Sequence, residues 1–257
     1  MIASIQIGPA LPEGEREYWL SPHVIFLTVE DGSARLLDMA GSFHALPAVG
    51  TRMLQETLAR GSEAAIARIA REYGVAPQQV RNDLTVFLLD LETQGLLCRQ
   101  GSRPRSDHCA LGLARFLLRP SLNAAHRFLR LPKTKSRALL TLARVSFALF
   151  GWTRTITVWR EAHAYLPVRQ SCEADAETVQ ALDAAVHAAA ASHPVAVACK
   201  ERALCSWSLA RAAGLNASVV VGIAVFPVAG HCWCEVGTQT LGDNEEWCCR
   251  FTPVARW

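Results

Sequence analysis

The first hundred residues change from apolar positions that alternate to apolar positions that recur every three or four residues. The alternating part predicts three short strands, and Asp31 and Gly32 between the first two are typical of a hairpin turn. The later part predicts three helices, each closed by a glycine. The three predicted strands are 24–29, 34–38 and 42–45, and the predicted helices are 47–58, 64–73 and 76–94. A further short strand is predicted after the helices, at 96–98. This order predicts a winged-helix-like domain over residues 1–100.

A polar stretch containing glycine and proline follows, and we predict a linker at residues 101–110. Leucine, alanine and arginine dominate residues 111–165. This composition predicts two or three helices, with breaks at Pro120 and Pro132. An alanine-rich pattern predicts a further helix at 173–191.

A cysteine, a histidine and an aspartate occur in that order at predicted element boundaries. Cys199 precedes a helical pattern, and the N-terminus of a helix favours a thiolate. His231 begins a predicted strand whose alternation places His231, Trp233 and Glu235 on one face. Asp243 follows after a hairpin-like stretch. This is the chain order of a Cys-His-Asp nucleophilic site, in which imidazole moves a proton and the acid orients imidazole.

Composition and charge narrow the function classes. The 257 residues are 51% hydrophobic and 19% charged, which fits one large or two modest globular domains. A net charge of +3 argues against a dedicated nucleic-acid binder. The N-terminus lacks a signal-peptide pattern, and nine cysteines without regular spacing indicate reduced thiols in the cytoplasm. No apolar run reaches the roughly 18 residues that a membrane span requires.

Residues 71–75 resemble the turn of a helix-turn-helix motif, so DNA binding is an alternative function. The predicted recognition helix carries Asp83, Asp90 and Glu92 against only Arg81. Such a helix is poorly suited to phosphate groups, so we expect no nucleic-acid partner.

A zinc site is the strongest alternative chemistry in the C-terminal region. Its potential ligands are His231, Cys232, Cys234, Cys248 and Cys249. These residues lack the Cys-x-x-Cys pairs usual in structural zinc sites, so we expect no metal and no cofactor. A simpler interpretation of Cys199 and His231, each taken alone, is a buried core thiol and a structural strand histidine.

The C-terminal motifs resemble the B proteins of lasso-peptide biosynthesis, transglutaminase-like cysteine proteases that remove the leader of a ribosomal precursor peptide. The positions that fit this family are Cys199, Arg202, Leu204, Gly222, His231, Trp233, Glu235 and Asp243. The resemblance implies that Cys199 is the nucleophile, His231 the general base and Asp243 the orienting acid. Trp233 is expected to wall the site beside the imidazole and to contact the substrate. The departures from the family pattern, at Lys200, Gly230, Cys232 and Cys234, remove no catalytic group.

The order of elements over residues 17–100 resembles the PqqD-like leader-recognition domain of peptide-modifying systems. This resemblance implies that the leader adds as a strand to the edge of the small sheet. We place that edge at Ser42, Phe43 and His44, and we place a groove beside it at Phe87 and Leu91 of the third helix. Both groove residues fit a core position equally well.

Together these patterns predict an α+β chain. A winged-helix-like PqqD-type domain is followed by a transglutaminase- or papain-like cysteine protease domain at 111–257. The implied function is a cytoplasmic leader peptidase of lasso-peptide biosynthesis. Its implied partners are the leader of a ribosomal precursor peptide and an asparagine-synthetase-like lasso cyclase that receives the core peptide. The alternatives are an acyltransferase of the arylamine N-acetyltransferase type and a non-catalytic peptide-binding or winged-helix regulatory protein.

Overall fold

Helices and strands occur in both parts of the chain, and the predicted α+β class is confirmed. The computed structural model describes residues 17–39, 42–100, 106–167, 174–224 and 228–257. It divides the chain into two units, residues 1–107 and 108–257. Among the described residues, no helix combines the length and apolarity needed to cross a membrane.

The strands of the N-terminal unit form two small antiparallel sheets. A short strand, β1 (Tyr18–Leu20), pairs with β5 (Leu97–Arg99). The three predicted strands form a meander of β2 (Val24–Thr28), β3 (Ala34–Asp38) and β4 (Phe43–Leu46). Gly32 takes φ +80° in the turn between β2 and β3. Strand β4 pairs with β3 alone among the described strands, so its other side is an edge.

Three helices cover these strands, close to the predicted positions. They are α1 (Ala48–Arg60), α2 (Ser62–Tyr73) and α3 (Pro77–Thr93). Gly61, Gly74 and Gly95 follow the three helices with positive φ, as the glycine pattern predicted. The core lies between helices and strands and includes Leu36, Leu54, Ile69, Leu84 and Leu91.

The helical region of the C-terminal unit differs from its prediction at one proline. Helix α4 (Ser106–Phe128) begins inside the predicted linker of 101–110, whose first five residues lie outside the described part of the chain. The break predicted at Pro120 was wrong, because α4 continues through it. A proline inside a helix removes one backbone hydrogen bond, and complete burial of Leu118 and Leu122 on either side offsets that loss.

The next helix starts where the sequence predicted and bends where it did not. Helix α5 (Pro132–His163) has proline in its first turn, where the missing N–H costs little. Gly151 interrupts α5 with φ +68°, a conformation that glycine adopts without steric cost, and divides it into two segments. The alanine-rich helix α6 (Ala174–Ala191) matches its prediction.

A central helix and a four-stranded sheet complete the C-terminal unit. Helix α7 (Cys199–Ala212) packs against the sheet and against helices α5 and α6. The elements that follow are β6 (Ala217–Ala224), β7 (Ala229–Val236), β8 (Gln239–Leu241), α8 (Glu245–Cys248) and β9 (Thr252–Arg256). The sheet is antiparallel in the order β8-β7-β6-β9. Because α7 is covered on several sides, its buried positions do not follow a single stripe.

Candidate active site

The N-terminus of α7 places Cys199 at the edge of this buried helix. The preceding residue, Ala198, has extended backbone, and its N–H donates to Glu201 Oε2 at 2.9 Å. Arg144 of α5 donates to the Ala196 carbonyl at 2.9 Å and lies 3.6 Å from the same Glu201 oxygen. These contacts fix where the helix begins, and they leave the Cys199 thiol partly exposed.

Strand β7 and the loop after β8 bring a histidine and an aspartate together. His231 Nε2 lies 3.0 Å from Asp243 Oδ2, and both side chains are 9% exposed. Because Nε2 is engaged by the carboxylate, Nδ1 is the ring nitrogen left for the thiol. The structure thus assembles the three predicted catalytic residues, Cys199, His231 and Asp243, at one place in the C-terminal unit.

Two glycines are required by the packing around this pair. A Cβ on Gly222, opposite His231 in the ladder between β6 and β7, would lie 2.6 Å from the Trp233 ring and 2.8 Å from Phe251 Cβ. A Cβ on Gly242 would lie 2.1 Å from Ser206 Oγ, and Gly242 has φ +77°. Neither position accepts a larger side chain without displacing its neighbours.

The Asp243 carboxylate is held by Arg202, His231 and the backbone of Asn244. Arg202, one turn along α7 from Cys199, donates from Nη2 to Asp243 Oδ2 at 2.7 Å, the oxygen that also faces His231. The Asn244 N–H donates to the other oxygen at 2.8 Å. The carboxylate is therefore oriented toward His231.

The charges of the site favour a thiolate and a protonated imidazole. Burial opposes the charged form of Cys199, yet interaction with His231 and with the backbone N–H groups of Cys232 and Lys200 holds its pKa below the ordinary value. Burial also opposes charge on His231, but Asp243 and Cys199 raise its pKa to about 9. Hydrogen bonding from His231 and Asn244 and the charge of Arg202 outweigh burial and lower the pKa of Asp243. A thiolate paired with an imidazolium is one arrangement that activates a cysteine nucleophile.

Aromatic rings enclose the imidazole. Phe251 stacks on His231 with ring centroids 5.0 Å apart, and Trp233 lies at 6.0 Å. Trp247, which is 45% exposed, meets His231 edge-on at 6.3 Å. Trp233 lies beside the imidazole as predicted, but it is 3% exposed and donates to Glu235. Its predicted contact with substrate does not fit this burial, and Trp247 is the ring with accessible surface.

The predicted leader-binding residues all lie in the N-terminal unit. Ser42 is exposed, and Phe43 and His44 are partly buried on the edge strand β4. Phe87 is partly buried, and its ring lies near Gly50 at the start of α1. Leu91 is 3% exposed within the core. The groove position predicted for Leu91 was wrong, because its side chain is buried in the core where α3 packs against the rest of the N-terminal unit.

A metal would find few ligands among the described residues. The set in which histidine, cysteine or carboxylate ligand atoms approach one another is His231, Asp243 and Cys248. Cys232 and Cys234, which the zinc alternative had included, are fully buried on the same strand as His231. Burial raises the pKa of both thiols well above the ordinary value, and neither sulfur belongs to that set.

Comparison with known families agrees with both units. Residues 27–97 match the family described as coenzyme PQQ synthesis protein D (PqqD). Residues 123–256, just over half of the chain, match the transglutaminase-like superfamily. Neither a search of curated proteins nor a search of solved structures gave a match. The match covers α5, α6, α7 and the whole sheet with Cys199, His231 and Asp243, and on this ground the chain belongs to the transglutaminase-like superfamily.

Proposed function

We propose that this protein is the leader peptidase of a lasso-peptide pathway. The observation that carries the proposal is the Cys199–His231–Asp243 arrangement, in which the pKa of the thiol is lowered and the pKa of the imidazole is raised. The PqqD match at residues 27–97 supports a peptide substrate, because this family resembles leader-recognition domains of peptide-modifying systems. A peptidase fused to such a domain fits the removal of a leader.

Leader capture is assigned to the edge of β4. An extended leader pairs its backbone with the free side of this strand, next to Ser42, Phe43 and His44. Strand addition suits a disordered peptide, since backbone hydrogen bonds give affinity and alternate side chains give selectivity. Phe87, partly buried and near the start of α1, offers apolar contact to one of those side chains.

Cleavage begins with attack of the Cys199 thiolate on the carbonyl carbon of the last leader residue. The carbonyl oxygen takes the negative charge, and the N–H of Lys200 at the helix N-terminus is a nearby donor for it. His231 Nδ1 gives its proton to the leaving amine, and the core peptide departs while a thioester remains on Cys199. Water then attacks the thioester, His231 takes the proton from water, and the leader leaves with a free carboxylate.

Asp243 keeps the imidazole oriented through both steps and stabilises its charged form. The freed core amine is the nucleophile needed for macrolactam formation. We assign that later step to a partner cyclase that resembles an asparagine synthetase.

Mass spectrometry of a cleavage reaction tests the proposal. The full-length protein is mixed with a precursor peptide, and Cys199→Ala is compared with Cys249→Ala, a change at an exposed cysteine in the same unit. We expect leader and core from the native chain and from Cys249→Ala, and no cleavage by Cys199→Ala, which still binds the leader. Cleavage by Cys199→Ala would contradict the assignment of the nucleophile. Acetyl transfer from acetyl-coenzyme A to an arylamine without peptide cleavage would instead support the acyltransferase alternative.

A further inference from the structure

A third potential metal ligand lies beside the catalytic histidine and aspartate. The sulfur of Cys248, a ring nitrogen of His231 and a carboxylate oxygen of Asp243 all lie within 4.8 Å of one another. Cys248 is the last residue of α8 and is 4% exposed. It takes no part in the cleavage steps above. The cleavage mechanism therefore does not explain why Cys248 lies next to His231 and Asp243.

The spacing of these atoms is close to that around a zinc ion. Bonds of about 2.0–2.1 Å to nitrogen and oxygen in a tetrahedral site place those two ligands roughly 3.2–3.4 Å apart. His231 Nε2 and Asp243 Oδ2 are already 3.0 Å apart. The Cys248 sulfur lies within 4.8 Å of the ligand atoms of both residues, and zinc binds thiolate sulfur at about 2.3 Å. Imidazole, thiolate and carboxylate together suit Zn²⁺ better than the hard ions Mg²⁺ and Ca²⁺.

We propose that His231, Asp243 and Cys248 form an inhibitory zinc site within the active site. The ion replaces the proton shared by His231 Nε2 and Asp243 Oδ2, and it takes the Cys248 sulfur as its third ligand. The Nε2 proton and the Cys248 thiol proton pass to solvent, and no oxidation or reduction occurs. That this binding is inhibitory rests on the proposed peptidase function; that it occurs does not.

Zinc at this position stops the acid–base cycle. A neutral imidazole bound through Nε2 carries its remaining proton on Nδ1, so it cannot accept a further proton from water during thioester hydrolysis. Asp243, held by the metal, no longer orients the ring. Removal of the ion by a chelator restores the hydrogen bond between His231 and Asp243, so inhibition is reversible.

A neighbouring positive charge keeps the site weak. Arg202 donates to the same Asp243 oxygen at 2.7 Å, and its positive charge opposes a cation there. We therefore expect a site that EDTA empties readily, in contrast to a structural zinc site that the fold depends on.

Cobalt binding tests the site without any reference to peptidase activity. Full-length Cys199→Ala, which lacks the nucleophilic thiol as a competing ligand, is titrated with Co²⁺ alone. We expect a thiolate-to-cobalt charge-transfer band that saturates at one ion per chain and is displaced by Zn²⁺. The band should disappear when Cys248→Ser is added and persist when Cys249→Ser is added. An equal band in both double variants overturns the proposal.

A second variant guards against misfolding of Cys248→Ser. His231→Asn in the Cys199→Ala background removes a different ligand, and we expect it to weaken Zn²⁺ binding at least tenfold in a chelator-competition titration. Unchanged affinity in that variant also overturns the site. Far-ultraviolet circular dichroism identifies which variants are folded and so can be compared.

Precursor cleavage then tests the inhibition itself. Zn²⁺ should inhibit the native chain and Cys249→Ser alike, and EDTA should restore both. Cys248→Ser, compared with its own metal-free rate, should require at least tenfold more Zn²⁺. Equal zinc sensitivity of the two variants contradicts the inhibitory role. A protein that cleaves no precursor but shows the cobalt band separates failure of the proposed function from failure of the site.

Discussion

Asp183 of α6 accepts a hydrogen bond from the backbone N–H of Gly242 at 2.7 Å, next to Asp243 in the chain. A side chain at position 242 would clash with α7, because a Cβ there would lie 2.1 Å from Ser206 Oγ. The loop that carries Asp243 is thus held by a hydrogen bond to α6 and packs closely against α7. Asp183 acts on the site through the loop backbone and is a positioning residue.

Replacing Asp183 tests this role. We expect Asp183→Ala to lower the rate of precursor cleavage about tenfold, because loss of a charge-assisted hydrogen bond worth roughly 1.5–3 kcal/mol frees the loop. Asp183→Asn keeps an oxygen acceptor for Gly242 and should retain most of the rate. Cleavage kinetics with saturating precursor measure both, and thermal unfolding serves as the control for general destabilisation. Equal rates for the two variants would argue against positioning through this bond.

Arg202 and His231 share one oxygen of Asp243, and Arg202 can be removed without touching the pair. We expect Arg202→Gln to reduce cleavage and to raise the pKa of Asp243, since the variant loses a favourable charge. The acid limb of the pH–rate profile should therefore move to higher pH. The matched control is Arg211→Gln near the end of the same helix, which lies outside the site and should leave the profile in place.

The pH dependence of thiol alkylation tests the ion pair directly. The pKa of Cys199 is lowered, so its alkylation by iodoacetamide should reach half-maximum below the ordinary thiol value. His231→Ala removes the main stabilising partner of the thiolate and should shift that midpoint to higher pH. Cleavage should fall on the alkaline side as His231 loses its proton near its pKa of about 9, because the leaving amine then lacks a proton donor. An unshifted alkylation midpoint in His231→Ala would contradict the pairing.

Gly222 tests the packing behind the imidazole. Gly222→Ala places a methyl group 2.6 Å from the Trp233 ring, and we expect a loss of about 1–3 kcal/mol in the free energy of unfolding. Gly112→Ala, within α4 with nothing in contact range of the new methyl group, should stabilise the chain by about 0.5–1 kcal/mol. Urea unfolding monitored by circular dichroism measures both. Equal stability of the two variants would show that the sheet absorbs the methyl group.

Leader binding tests the N-terminal unit separately from catalysis. In full-length Cys199→Ala, Phe87→Ala should weaken binding of a fluorescent leader peptide about tenfold, because a partly buried aromatic contact is lost. Val86→Ala is the matched control, since Val86 lies next to it on α3 and is 70% exposed. Fluorescence anisotropy gives both affinities. Equal affinity would place the leader away from Phe87.

Local pattern was sufficient for most elements of both units. Apolar periodicity and helix-closing glycines located α1, α2 and α3, because these features act within a few residues. Strand β1 was not predicted, because the three residues Tyr18–Leu20 are too few to show an alternation of apolar positions. This strand is stabilised by its pairing with β5. The helix break predicted at Pro120 was wrong, and the interruption of α5 at Gly151 was not predicted, for a related reason. Burial on either side of Pro120 decides that α4 continues, and sequence alone does not display burial.

For the site, the sequence by itself determined which chemical groups are available and in what order. Cys199 begins α7, His231 lies near the start of β7 and Asp243 follows β8, and local pattern indicates all three positions. Only the tertiary structure decided what surrounds them. Phe251 and Trp247 come from the last residues of the chain, and Asp183 comes from a helix that precedes Cys199. Contacts between residues so distant in sequence arise when α6, α7 and the sheet pack together, which no local pattern encodes.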